Sequence, residues 1–212
     1  MPDQRLPIFP LNVVLFPGTT MPLHLFEPRY RQLLKDILNG DSRFGILTGI
    51  SGVAERDLPS GRMGCVAEVT DAEVMPDGRA NIVVTGRERF ALDSFVDDDA
   101  PYNVADVSFV ADTAGTNAVA LAVASDDVAQ NFRRVVKAVH QLNGEQGVMP
   151  TLPDDPVQLP WSIAAMIDVD LTQRYQLLAE RSPAARLSSV DGILKRVLPD
   201  LELRAAIAQN NR

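Results

Sequence analysis

The sequence predicts an α+β protein, with a small, partly open β-barrel in its first half and a helical bundle in its second. Three observations carry this. Up to about residue 110 the chain consists of short runs rich in Val, Ile, Phe, Gly and Pro. Two longer strand-forming runs flank Pro76-Asp77-Gly78, and Asp-Gly between β-rich runs is a strong local hairpin signal. Beyond that point Ala, Leu, Gln and Arg recur at helical spacing. The expected division is residues 1–112, a barrel with one inserted helix, and residues 113–212, a helical subdomain.

The elements follow in order. Pro7, Pro10, Pro17 and Pro22 each remove a backbone donor and fix φ, so only short strands fit between them, around Ile8-Phe9, Val13–Phe16 and Met21–Leu25. Glu27-Pro28 opens the first helix, with proline at the first helical position, where its missing N–H costs nothing. Tyr30, Leu33, Leu34, Ile37 and Leu38 form one apolar stripe, and Asn39-Gly40 ends the helix. Further strands are expected at Phe44–Ile50, Gly64–Met75, Ala80–Leu92 and Tyr102–Val110. Closing such strands into a barrel limits exposed sheet edges.

The second half opens with an Ala-rich patch near residues 114–124. Val128, Phe132, Val135, Val136, Val139 and Leu142 then mark one face of a helix that Asn143-Gly144 closes. Asp155-Pro156 to Ile167 reads as a short helix with Trp161 and Ile163 inward. Thr172 is the expected cap of a helix over Gln173–Glu180, and Ser182-Pro183 starts the last helix, which Pro199 should kink or end.

Composition narrows the function classes. An apolar fraction of 46% with 23% charge is that of a globular chain. No run of about 20 apolar residues is present to cross a membrane, and the N-terminus lacks the basic region and unbroken apolar run of a secretory signal. The single cysteine, Cys65, gives no internal disulfide and no metal cluster, which favours a reducing, cytoplasmic setting. A net charge of −8 argues against general nucleic-acid binding, which depends on Lys and Arg neutralising phosphates. Nothing in the sequence sets an oligomeric state.

No catalytic motif is found. The phosphate-cradling G-x-x-x-x-G-K-[ST] loop, the G-x-S-x-G elbow and H-E-x-x-H are all absent, so no enzyme activity, cofactor or metal is expected. Asp97-Asp98-Asp99 and Asp154-Asp155 read as solvated turns. His24 is expected as a half-buried strand residue, His140 as an exposed or boundary residue on a helix, and Cys65 as a small buried hydrophobe. Arg87 and Arg89 read as outward-facing surface or ion-pair residues.

Three ordered stretches resemble one family. "LPIFPLNVVLFPGTTMPLHLFEPRYRQLL" is similar to the opening of the Lon-protease N-terminal domain family, also called the LON substrate-binding domain. "GCVAEVTDAEVMPDGRANIVVTGRERFAL" resembles its hairpin, and "LPWSIAAMIDVDLTQRYQLLAERSPAARLSSVDGILKRVL" its helical part, with Arg-Leu before the last helix. The resemblance implies a PUA-like β-barrel followed by a helical bundle. It also implies a stand-alone bacterial form, because these residues include neither the ATPase nor the peptidase module of full-length Lon proteases. The function implied is a non-catalytic module that binds unfolded or partner polypeptide. Its exposed binding candidates at the first helix entry are Glu27, Arg29 and Arg31, with Tyr30 at the boundary. Two alternatives stand beside it: a small-molecule or regulatory pocket between barrel and helices, and RNA binding through the barrel.

Overall fold

Strand-forming runs alternate with turn residues through the first half of the chain, and the structure pairs them into one sheet. It is a computed structural model that describes residues 4–114, 117–144 and 147–210. The elements are β1 (Gln4–Leu11), β2 (Thr20–Leu25), α1 (Pro28–Leu38), β3 (Arg43–Thr48), β4 (Met63–Val74), β5 (Ala80–Val96) and β6 (Asn103–Phe109). The helices α2 (Ala118–Asn143), α3 (Leu159–Met166), α4 (Leu171–Ala179) and α5 (Pro183–Asn210) follow. The class is α+β, as expected. The elements group into two compact units. The first runs to Ala111 and takes in Val169–Ala179, while the second holds Asp112–Asp168 and the chain from Glu180. The sequence reading put α4 with the helices, whereas here it groups with the strands.

In the first unit β1 pairs β3 in parallel and β6 antiparallel, β4 lies between β3 and β5, and β5 also pairs β6. Those five strands close on one another, and β2 adds to the first half of β5. Leu6, Ile8, Leu47, Val66, Phe90 and Leu92 belong to the core cluster, and each buried side chain of this kind is worth about 1.5–3 kcal/mol. Cys65 is fully buried, as expected, and burial pushes its thiol up to about 12.

Val13–Phe16 forms no strand. Val14, Leu15 and Phe16 are buried in succession, which the two-residue alternation of a half-buried strand does not allow. The backbone there is satisfied otherwise: Thr48 Oγ1 donates to the Val13 carbonyl (3.0 Å) and Thr19 Oγ1 to that of Phe16 (2.8 Å). The turn that follows hangs on β5 through Gly18 N–H to Gly86 O and Gly86 N–H to Thr19 O, both 2.9 Å. A Cβ on Gly86 would run into the Phe16 carbonyl, so this close approach requires glycine.

Arg89 also departs from expectation. Between the pairs Cys65↔Arg89 and Ala67↔Gly86, β5 carries one residue more than β4. This bulge leaves Arg87 and Glu88 both exposed and turns Arg89 inward. Buried to 3% exposure, Arg89 donates from Nη1 to the Leu178 carbonyl (2.8 Å), in the last turn of α4 where carbonyls lack helical partners. Tyr175 adds a second tie: its hydroxyl accepts from Met63 N–H (3.2 Å), and the Arg62 guanidinium lies 4.3 Å over its ring. Asp170, not Thr172, caps α4, accepting from Gln173 N–H at 2.8 Å.

In the second unit α2 starts ten residues before its apolar stripe becomes legible at Val128. Asn117 caps it, accepting from the backbone of Val119 and Ala120, and buried Leu121 and Ser125 extend the stripe backwards. Of the Ala-rich patch, residues 115 and 116 lie outside the described residues. Asn131 donates to Asp191 (2.9 Å) and Arg134 to Glu202 (3.0 and 2.9 Å), fixing α2 beside α5. Ser182 caps α5 through its Oγ, so Arg186-Leu187 lies in the first turns of that helix and not before it. Arg186 is fully buried. It grips both Asp112 oxygens (3.0 and 2.8 Å) and the Glu180 carbonyl (3.0 Å), with its guanidinium 3.8 Å from the Trp161 ring. Pro199 neither ends nor interrupts the assigned helix, which continues to Asn210. Leu198 and Ala205, buried on either side of it, and the Arg134–Glu202 pair hold the helix in place. That packing offsets the roughly 3 kcal/mol that an interior proline costs.

Two substitutions test these contacts. Gly86→Ala should destabilise the first unit by about 1–3 kcal/mol through overpacking against backbone, read as faster amide exchange along β5. Arg186→Met should cost about 3 kcal/mol, because it breaks the buried, bidentate pair with Asp112. The measurement is a lowered urea midpoint of Trp161 fluorescence, the chain's single tryptophan.

Candidate functional site

The start of α1 follows from its sequence. Glu27 has extended backbone (φ −67°, ψ 137°), Pro28 takes the first turn, and the Glu27 carbonyl accepts from Tyr30 and Arg31 N–H, both at 3.1 Å. The Glu27 side chain does not cap the helix. It accepts instead from Arg29 Nε (3.0 Å).

Arg29 is a bracket. Its two terminal nitrogens grip Glu55 at 2.8 and 2.9 Å, and Asn103 Nδ2 donates to the same carboxylate at 2.7 Å. Glu55 sits in the short helical turn Glu55–Asp57 and Asn103 opens β6, so one guanidinium ties α1 to a loop whose carboxylate also holds a strand. The hydrogen bonds that Arg29 donates to Glu55 are the chief cause that holds it above the ordinary arginine range. Tyr30 is core, not boundary: it is 2% exposed and its ring centroid lies 3.9 Å from that of Phe9. Its hydroxyl makes no well-formed hydrogen bond among the described residues, and burial first, then the nearby Glu55 carboxylate, pushes its ionisation upward. Neither Arg29 nor Tyr30 is therefore presented freely to a ligand.

Arg31 faces a different place. Its Nη1 donates to the Asp77 carbonyl (2.7 Å), in the β4–β5 turn where Gly78 takes a positive φ of 82°. Beside it runs a groove of about 640 Å³ whose lining includes Pro28, Arg31, Lys35, Leu38, Val74 and Gly78. Leu38 is 43% exposed and Val74 58%, so both leave apolar surface open to solvent.

Of the four residues named from sequence, the structure thus places Arg31 in the groove and joins Glu27 and Arg29 in the Glu55 cluster. Tyr30 lies beneath them. The sequence reading missed Lys35, Leu38 and Val74 as groove residues. A signal existed for the helix: at about 100° per residue, Leu38, Arg31 and Lys35 fall roughly 80°, 100° and 140° around α1 from Tyr30. They share one flank, with Leu38 at the margin of the apolar stripe. No such signal marks Val74 or Glu55, whose roles depend on which strand or loop reaches α1.

Other polar groups are arranged elsewhere in the first unit. His24 is exposed, not half-buried. It shares a 2.8 Å hydrogen bond with Asn81, which reaches Glu73 at 3.4 Å across three strands, and its ring stacks with exposed Phe26 at 6.0 Å. A second groove of about 770 Å³, in the second unit, is lined by apolar residues of α2 and α5 such as Phe132, Val139 and Val197. Among the described residues no helix is long and apolar enough to cross a membrane.

Replacing Glu55 with Ala should loosen the bracket locally. Solvent screens a pair this exposed, so the global loss should be no more than about 1 kcal/mol. Amide exchange should accelerate at residues 54–58 and in the first turn of α1, with the rest of the barrel unchanged.

Comparison with known proteins places these features in a family. The profile of the ATP-dependent protease La (LON) substrate-binding domain matches residues 5–196. A Lon protease 2 of Myxococcus xanthus is 29% identical over 205 residues, which cover 94% of this chain and 24% of that protein. The Lon protease of Rhizobium meliloti (strain 1021) is 21% identical over 204 residues, 95% of this chain and 25% of that protein. The chain thus spans about a quarter of the length of these curated relatives. Among solved structures, a Lon N-terminal domain protein from Xanthomonas campestris matches with TM-score 0.65 at 26% identity, over 88% of this chain and 96% of that one. The N-terminal domain of Mycobacterium avium complex Lon protease matches with TM-score 0.66 over 91% and 98%, at 14% identity, a likeness of fold.

Proposed function

Because the chain belongs to the LON substrate-binding domain family, we propose that it is a recognition module for other polypeptides, without ATPase or peptidase chemistry of its own. The observation that carries this reading is the groove beside α1. Exposed apolar side chains gathered in a concave groove and bordered by polar groups mark an interaction site. Leu38 from the helix and Val74 from the hairpin both stand open in the lining of this groove. The walls are held independently of any ligand. Arg31 fastens the hairpin turn to α1, and Arg29 with Glu55 fastens the start of the same helix. A preorganised groove loses little entropy on binding.

An unfolded segment docks here by burying apolar side chains between Leu38 and Val74, at about 25 cal/mol per Å² of apolar surface before association costs. Those costs keep affinity per site modest, which suits a module that engages many different segments.

The test uses the full chain with reduced, carboxymethylated α-lactalbumin as an unfolded probe and the native form as control. A photo-crosslinking amino acid in place of Leu38 should join the unfolded probe and not the native one. Leu38→Asp and Val74→Asp, both at exposed positions, should weaken retention of the unfolded probe at least several-fold while circular dichroism stays unchanged. Crosslinking no greater than from an exposed position on the last turn of α5, or retention indifferent to both substitutions, overturns the reading.

A further inference from the structure

We propose that the groove beside α1 selects segments in which an apolar stretch is flanked by Asp or Glu, and that Arg31 and Lys35 are the residues that read this charge. The inference rests on the polypeptide-recognition reading of the same groove and adds the chemical class of the segment. It starts from a contrast. The chain carries 28 acidic against 20 basic residues, yet the charged side chains lining this groove, Arg31 and Lys35, are both cationic. They stand one helical turn apart on the flank of α1 that also presents Leu38.

The neighbouring acids are already engaged. Asp36 accepts from Gln32 (2.7 Å) and from the Tyr102 hydroxyl (3.0 Å), and Glu27 holds Arg29. On the hairpin, the Asp77 carboxylate is bound by Arg79 Nε at 2.7 Å and by the Arg79 backbone N–H at 3.0 Å. Arg31 meets the Asp77 main-chain carbonyl instead; its charge also acts on the Asp77 carboxylate, but it makes no salt bridge among the described residues. Lys35 makes no ion pair among the described residues. Two cations outside any salt bridge among the described residues therefore border an apolar floor.

The chemistry follows. An arginine fork accepts a carboxylate with defined geometry, while a lysine supplies a point charge on a flexible stem. The surrounding acidic surface disfavours acidic segments elsewhere on the chain, so attraction at the groove and repulsion around it act together in selection. A nucleic acid fits less well. Single strands are held by stacking on aromatic faces along a cationic track, and no aromatic side chain lines this groove.

The experiment measures binding to the full chain of fluorescein-labelled peptides sharing an Ile-Leu-Phe-Val core flanked on both sides by Glu, Gln or Lys. The Glu-flanked peptide should bind about 3- to 10-fold tighter than the Gln-flanked one, as expected for two solvent-exposed ion pairs. The Lys-flanked peptide should bind weakest, and the spread should narrow as salt rises. Lys35→Glu, at a solvent-exposed position, should erase the preference, and the double substitution Arg31→Glu with Lys35→Glu should reverse it. Equal affinity for the three peptides, or a preference unmoved by Lys35→Glu, overturns the charge selection and leaves polypeptide recognition standing. Displacement of the Glu-flanked peptide by single-stranded RNA at equal concentration overturns it in favour of nucleic acid. Failure of all three peptides to bind overturns the recognition reading and this inference together.

Discussion

The first unit is organised by the pairing of β5. Its seventeen residues have β4 along one side, and on the other β2 in the first half and β6 in the second. A buried backbone must keep its donors and acceptors paired, so a strand serving two successive neighbours has to turn between them. Extra residues in β5 make the turn, one against β4 at Arg87-Glu88 and one against β6 near Asp93. Bulges bend and twist a strand, and here the bend brings the second half of β5 onto β6 and closes the ring. The same bulge sends Arg89 inward to the end of α4, and the close approach at Gly86 lets the proline-broken opening segment lie across the strand.

The helix α1 shows how one short segment serves both core and surface. Tyr30, Leu33, Leu34 and Ile37 are buried, and what they leave over is a flank bearing Arg31, Lys35 and Leu38. The hairpin turn, with Gly78 at positive φ, brings Val74 opposite that flank. The groove is thus a by-product of packing an eleven-residue helix with a narrow apolar stripe beside a long hairpin. Its cations stand outside salt bridges among the described residues because the nearby carboxylates already serve the fold.

Much of this was legible in the residues, and the misses share a cause. Pro28, Asn39-Gly40, Asn143-Gly144, Asp77-Gly78 and Ser182-Pro183 set boundaries through local stereochemistry, and the structure places them where that chemistry requires. Val13–Phe16, Arg89 and Pro199 went otherwise because each is decided at a distance. Three consecutive buried residues gave up alternation for contact with β5. An arginine was turned by a bulge that no local pattern announces. A proline was carried through a helix anchored by α2 on both sides. In the site, Arg31 was legible as a polar residue at a helix entry, but Glu55 was not, because its partners lie 26 and 48 positions away.

The sequence by itself determined the class of fold, the elements bounded by proline, glycine and capping residues, and the family, because these depend on residue type and short spacing. The tertiary structure alone decided which apolar residues stay exposed and which charges enter salt bridges. Tyr30 and Leu38 look alike in a periodic pattern, yet one lies under Phe9 and the other faces the groove. Arg29 and Arg31 look alike as exposed cations, yet one is held by a carboxylate and the other by a carbonyl. Exposure and ion pairing are set by which distant segment arrives opposite a side chain, and that depends on the closure of the barrel.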